Sequence, residues 1–194
     1  METQQILNDL EKRLPIKRFE HVIRVTETAK KLSNHFGVSV EKAELAALLH
    51  DVAKYMEPAD MRKIIEENSE DSRLLSFHHV IWHAAAGAVI ARDEFGIDDS
   101  DILNAIRYHT TGRAGMSKLE KIIYIADLIE PGRNFLGIEE LRKTTEISID
   151  RAMKSCIVHS IGYLVEKQAT VFPDSFECYN EHVQKMNSQL RKET

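Results

Sequence analysis

The chain has 194 residues, 43% of them hydrophobic, which is long and apolar enough to build a sizeable core and excludes a disordered segment. Its 26 basic and 31 acidic residues leave a net charge of −5, which argues against a nucleic-acid partner held by bulk charge. An anionic ligand then needs a local positive site, and bound metal is one way to supply it.

Cys156 and Cys178 are too few for a disulfide scaffold or a zinc ribbon, so both are expected to be free thiols. The first residues carry neither a basic nor an apolar leader region, which makes the cytoplasm the expected location. The longest uncharged run, Leu74 to Ala91, is about 18 residues, near the lower limit for a membrane span. It contains His78, His79 and His83, so a buried helix is expected there instead.

Scarce glycine and proline with long periodic stretches predict an all-α protein in one domain. A first helix carries Ile6, Leu7, Leu10 and Leu14 and breaks at Pro15. A second runs from Ile16 to Phe36, with Val22, Val25, Ala29 and Leu32 on one face and Gly37 as its stop. Ser39 caps a third helix that ends at His50-Asp51, and Pro58 opens a fourth through Glu67. A long helix is expected from Phe77 to Phe95 and another from Asp99 to Tyr108, leading into the loop 110–115. Ser117-Lys118-Leu119-Glu120 reads as a capping box for a helix through Ile129, ended by Pro131-Gly132. A long helix from about Ser148 to Gln168, a break at 170–175 and a last amphipathic helix complete the chain.

His50 and Asp51 emerge from the apolar run Ala46-Ala47-Leu48-Leu49. An unpaired carboxylate there is costly, and a divalent cation would remove that cost by using both groups as ligands. His21 and Asp127 sit at or near apolar helix faces, and His83 precedes the small residues Ala84-Ala85-Ala86-Gly87. His109 closes a helix before a Gly- and Thr-containing loop. Taken singly, each has a plainer reading: a hydrogen-bonded core histidine, or an aspartate paired with a buried arginine. His79 and His83, four apart, could themselves bind a metal. Six ligand-type residues on separate helices favour one metal site. Nitrogen and oxygen donors alone suit Fe, Mn, Co, Ni or Zn in one or two ions, with Asp51 as the natural bridge.

The segments Arg18-Phe19-Glu20-His21-Val22, Leu49-His50-Asp51-Val52-Ala53-Lys54, His83-Ala84-Ala85-Ala86-Gly87, His109-Thr110-Thr111-Gly112 and Asp127-Leu128-Ile129-Glu130-Pro131-Gly132-Arg133 resemble the YqeK family of HD-domain hydrolases. The resemblance covers nearly the whole chain. It implies a single HD-domain helical bundle over 1–194, with a core of about 16–135 and C-terminal helices completing the substrate pocket. It implies a metal-dependent phosphohydrolase that splits diadenosine tetraphosphate into two ADP, a metal-activated hydroxide attacking a phosphorus beside the central bridging oxygen.

Carried over, His21, His50, Asp51 and Asp127 would hold the principal metal, iron first among the candidates. His83 and His109 would hold a second metal or take a catalytic role. His21, His83, His109, Thr110, Asp127 and Arg133 would contact substrate, as would Thr170, Val171, Phe172, Pro173, Asp174 and Ser175. Read locally, that last stretch is a helix-to-helix turn with Pro173 as breaker. Lys54 is a candidate phosphate contact or an exposed lysine.

Two competing readings stand beside this one. An HD-type hydrolase could act on another nucleotide or alarmone; the Gly-Tyr-Pro signature of the cyclic-dinucleotide branch is missing from the sequence. A non-catalytic nucleotide-binding or ribosome-associated module is the third reading. No membrane contact is expected. Apolar residues on the first or last helix suit either a homodimer or ordinary core packing.

Overall fold

Apolar residues at helical spacing draw the chain into ten α-helices over residues 3–190, the span described by this computed structural model. In α1 (Thr3–Arg13), Ile6 and Leu10 are fully buried, each contributing roughly 1.5–3 kcal/mol by leaving water. The first-helix apolar stripe is therefore core in the monomer. Pro15 starts α2 (Ile16–Phe36), which ends at Gly37, whose φ of 65° lets its N–H reach the Ser33 carbonyl. The Ser39 hydroxyl accepts from the Lys42 N–H and opens α3 (Val40–Leu49). His50 is the C-cap of α3 and Asp51 follows in the next turn.

After α4 (Pro58–Glu67), the structure departs from the expected Phe77–Phe95 helix. Residues Ser72–Ser76 and His79–Ile81 form two 3-10 turns, and α5 runs only from Trp82 to Asp93. The cause is local competition: the His78 imidazole accepts from the Val80 N–H, capping a new turn. The Trp82 indole N–H donates to the Leu74 carbonyl at 2.7 Å and ties the 3-10 segment back. Every residue from Trp82 to Ala91 is buried, and no helix among the described residues is long and apolar enough to cross a membrane. The small side chains let α5 approach closely. A Cβ on Gly87 would stand 3.6 Å from the His50 carbonyl oxygen, in ordinary contact.

Asp99 caps α6 (Ser100–Arg107), and the Ser117–Glu120 capping box forms as expected at α7 (Lys118–Ile129). The periodic reading omits α8 (Ile138–Ile147), whose buried stripe is only Ile138, Leu141 and Thr145. Next comes α9 (Ile149–Glu166). Pro173 does not act as a breaker but opens α10 (Pro173–Leu190), where its missing N–H costs nothing. Cys156 and Cys178 are buried free thiols, and burial pushes each up to about 12. One continuous set of buried side chains runs from Ile6 to Cys178. At its centre α3 packs against α2, α5, α6 and α7, and its C-terminal end carries His50 and Asp51.

Candidate metal centre

Five helices deliver six side chains to one region. His21 comes from α2, His50 and Asp51 from the end of α3, His83 from the first turn of α5. His109 follows α6, and Asp127 lies in the last turn of α7. All are buried except Asp127, whose side chain is 21% exposed. His78 and His79 stack on each other at 4.3 Å, are both exposed and take no part.

Three of the histidines are oriented by one device. His50 Nδ1 bonds the Ala47 carbonyl at 2.6 Å, His83 Nδ1 that of Val80 at 2.7 Å, and His109 Nδ1 that of Ile106 at 2.7 Å. Each carbonyl lies three residues back, and a carbonyl only accepts, so each Nδ1 carries the proton. In the neutral ring Nε2 is then a lone pair aimed at the centre. His21 reaches the same state by a different route, with its Nδ1 3.0 Å from Glu130 Oε1. An imidazole whose other nitrogen is held by a carbonyl or carboxylate is the arrangement found in metal sites.

What converges is a set of acceptors. His21 Nε2 stands 3.0 Å from Asp127 Oδ1 and 3.7 Å from Asp51 Oδ2, and His50 Nε2 stands 3.1 Å from Asp51 Oδ2. His21 Nε2 and His50 Nε2 are buried and satisfy no hydrogen bond, so these short separations are between atoms aimed at a common point. Donors around one ion with bonds of about 2.1 Å stand about 3.0–3.4 Å apart in octahedral or tetrahedral arrangements. His21, His50 and Asp127 form one triple of ligand atoms with a common centre; His50, Asp51 and His109 form another. The two oxygens of Asp51 divide between them: Oδ2 faces His21 and His50, while Oδ1 lies 3.2 Å from His83 Nε2 and 3.8 Å from His109 Nε2. His83 belongs to neither triple; its Nε2 is 3.2 Å from His109 Nε2 and 3.3 Å from Lys54 Nζ. Two lone pairs at that separation call for a cation or a proton between them.

The titration behaviour follows. Burial is the largest influence on His50 and acts downward, but Asp51 outweighs it and raises the pKa. Burial likewise opposes ionisation of Asp51, yet His50 and His83 hold that carboxyl well below its usual range. Burial also acts against Asp127, where His21, His50 and Arg133 prevail and lower it. Burial lowers His83, and lowers His109 strongly with help from His50 and His83, keeping both rings neutral. Asp51 thus favours positive charge at His50, the side of the cluster where a cation would be held.

Cations ring this cluster. Arg18 donates to Asp51 Oδ2 at 2.8 Å. Arg133 donates through Nη2 to Asp127 Oδ1 at 2.6 Å and through Nε to the Asp127 carbonyl at 2.9 Å. Lys54 is part-buried, and burial lowers its pKa. The Thr110 hydroxyl oxygen is buried without a partner. Thr110 also lines a cleft of about 430 Å³ together with Thr170, Phe172 and Ser175. Val171 packs on the core, and Asp174 turns to Arg73 at 2.7 Å. The 170–175 stretch therefore reaches the cleft through three of its six residues.

A model of the HD domain matches residues 18–132, which span the whole acceptor cluster. The chain belongs to the HD-domain family, in its YqeK-type branch. Among HD-domain relatives, it is 41% identical over 180 residues to a Bacillus subtilis (strain 168) protein described as "Bis(5'-nucleosyl)-tetraphosphatase, symmetrical", covering 93% of this chain and 97% of that one. A Halalkalibacterium halodurans protein of the same description is 43% identical over 164 residues, 84% of this chain and 88% of the relative. A crystal structure described as a predicted HD superfamily hydrolase involved in NAD metabolism, from Clostridium acetobutylicum, superposes with a TM-score of 0.91. It is 35% identical, covering 95% of this chain and 98% of that one.

Around the HD core, the sequence reading assigned no role to Arg18, Arg24, Glu130 or Arg142. Glu130 joins His21 to Arg24, whose Nε lies 2.6 Å from Glu130 Oε2. Burial opposes its charge, but Arg24 and His21 lower its pKa. Arg142 donates to the carbonyls of Ile129, Glu130 and Arg133 at 3.0, 2.9 and 3.2 Å, fixing the turn that presents Arg133. The sequence signals were the positions of Arg18 within Arg18-Phe19-Glu20-His21-Val22 and of Glu130 within Glu130-Pro131-Gly132-Arg133; Arg24 and Arg142 carry none.

Proposed function

We propose that the chain is a metal-dependent hydrolase that splits diadenosine tetraphosphate symmetrically into two ADP. The observation that carries the metal part is the convergence of buried acceptors without hydrogen bonds, His21 Nε2 and His50 Nε2, on the carboxylates of Asp51 and Asp127. The substrate part is supported by the two relatives named for that activity over most of their length.

In this reading His21, His50, Asp51 and Asp127 hold the principal metal, with iron first and Mn, Co, Ni or Zn as alternatives. Asp51 presents one oxygen to each half of the cluster, which suits a second ion near His83 and His109. When bound, the metal lowers the pKa of water to supply a hydroxide nucleophile near neutral pH and offsets phosphate charge.

The chain's own residues do the positioning. The tetraphosphate bridge is strongly anionic, and Arg133 neutralises it with a planar guanidinium that can bind two oxygens at once. The unpartnered Thr110 hydroxyl donates to a phosphate oxygen. Lys54, beside His83, faces the charge that develops on the leaving ADP as the phosphorus–bridging oxygen bond breaks. Symmetrical products require the new oxygen–phosphorus bond to form at a phosphorus next to the central oxygen. The Thr170–Ser175 stretch, including Val171, Pro173 and Asp174 as its frame, shapes the nucleotide cleft beside Thr110. The cytoplasmic nucleotide pool is the setting this reading implies.

The test is incubation of the metal-analysed protein with diadenosine tetraphosphate and chromatography of the products. ADP alone supports the reading. ATP with AMP overturns the attack position. No turnover with iron, manganese or cobalt supplied moves the weight to another nucleotide, NAD included, or to binding without catalysis.

A further inference from the structure

Two clefts meet at Thr110. The smaller, of about 430 Å³, is the one shaped by Thr170 and Phe172. The larger, of about 830 Å³, opens between the 133–136 turn and α9. Ile81, Thr110, Tyr163 and Leu164 line both, so the two are continuous across a shared ridge. That ridge adjoins the metal centre, because Thr110 follows His109, and Arg133 both lines the larger cleft and bonds Asp127.

The larger cleft carries the chemistry of base recognition. The Phe135 and His159 rings stack with centroids 4.3 Å apart and planes at 22°. Burial lowers the His159 pKa, so the imidazole is uncharged at neutral pH and behaves as a flat aromatic surface. Tyr163, one turn after His159 on α9, is 54% exposed, and Leu136 on the 133–136 turn is 98% exposed. Exposed aromatic and aliphatic faces beside an arginine suit a ligand with one flat apolar end and one anionic end. Glu166 lines the same cleft and offers a carboxylate to ribose hydroxyls.

We propose that the cleft between the 133–136 turn and α9 is a second nucleoside subsite, which holds the departing half of a dinucleoside polyphosphate while the Thr170 cleft holds the other half. Arg133 and Thr110 lie at the junction, where the phosphate chain would pass. The proposal rests on the dinucleoside polyphosphate reading above. It also predicts binding that is measurable without turnover. One held nucleoside already sets which phosphorus reaches the metal; a second subsite adds a hold on the far nucleoside, so that affinity for the whole bridge depends on both ends.

The experiment is calorimetric titration of the metal-loaded full chain with ADP. Wild type is expected to bind two equivalents, and the double variant Phe135→Ala/His159→Ala one. Gly162→Leu supplies an independent variant: Gly162 lines the cleft, a Cβ there meets nothing within 4 Å, and leucine favours the helix. It too should bind one equivalent, with circular dichroism as the folding check. With diadenosine tetraphosphate as substrate, KM should rise about 10- to 100-fold in both variants, the range for losing a base stack. The preference over adenosine 5′-tetraphosphate, which has a single nucleoside, should collapse. One ADP bound by wild type, or two by folded Gly162→Leu, overturns the subsite. Two ADP in wild type, one in the variants and no turnover would leave the subsite standing and overturn the hydrolase reading instead.

Discussion

Glu130 Oε1 lies 3.0 Å from His21 Nδ1, while Glu130 Oε2 accepts from Arg24 at 2.6 Å. These two bonds fix the tautomer of His21 and raise its strength as a ligand, although neither Glu130 nor Arg24 belongs to the acceptor cluster. Glu130→Gln keeps the shape, removes the charge and leaves Arg24 short of its partner. Metal affinity or turnover should fall about 10- to 100-fold, the usual cost of losing such a support. Metal content after dialysis at graded free metal checks it; retention equal to wild type would show that Glu130 serves only the fold.

Metal binding should also stabilise the fold, because the acceptors converge only in the native state. At free metal 100-fold above Kd the gain is about 2.7 kcal/mol, or a Tm rise of roughly 5–10 °C for a chain of this length. Calorimetric scans with metal and with chelator measure this, and His50→Ala should remove both the shift and the activity. The effect should weaken on acidification. His50 has a raised pKa, since Asp51 overcomes the larger downward influence of burial, so its proton competes with metal from above the ordinary imidazole value of about 6.5 downward. Full activity and unchanged metal content in His50→Ala would remove this centre from consideration.

Gly112 ties the Thr110 loop to the last helix. Its φ is +64°, and a Cβ added there would stand 2.9 Å from Cys178 Sγ. Gly112→Ala should cost about 1–2 kcal/mol from the left-handed backbone alone, plus the displacement of a buried sulfur. Adding Cys178→Ala should relieve the second component and leave the first. Urea titrations of the two single variants and the double variant separate them, and strictly additive losses would mean that the sulfur contact is not felt.

The elements that local chemistry specifies were legible in the sequence. The Ser117–Glu120 capping box, the Gly37 stop and the Ser39 cap each depend on residues within one turn, and each stands where the pattern put it. The order of histidines and aspartates along the chain likewise named the six side chains that meet. Where two local preferences competed, periodicity misled: His78 capping its own turn broke the expected long helix, and Pro173, legible as a stop, opened α10 instead. The short apolar stripe of α8 was too weak a signal to read. Only the tertiary structure decided the partners. Glu130 reaches His21 across 109 positions, Arg18 reaches Asp51 across 33, and the two oxygens of Asp51 face different pairs of histidines. Those relations depend on how α2, α5, α6 and α7 pack around α3, and the two clefts meeting at Thr110 depend on how α9 packs against α7, α8 and α10. Hydrophobic period states which face of a helix is buried, but the neighbour it is buried against follows from packing of the whole chain.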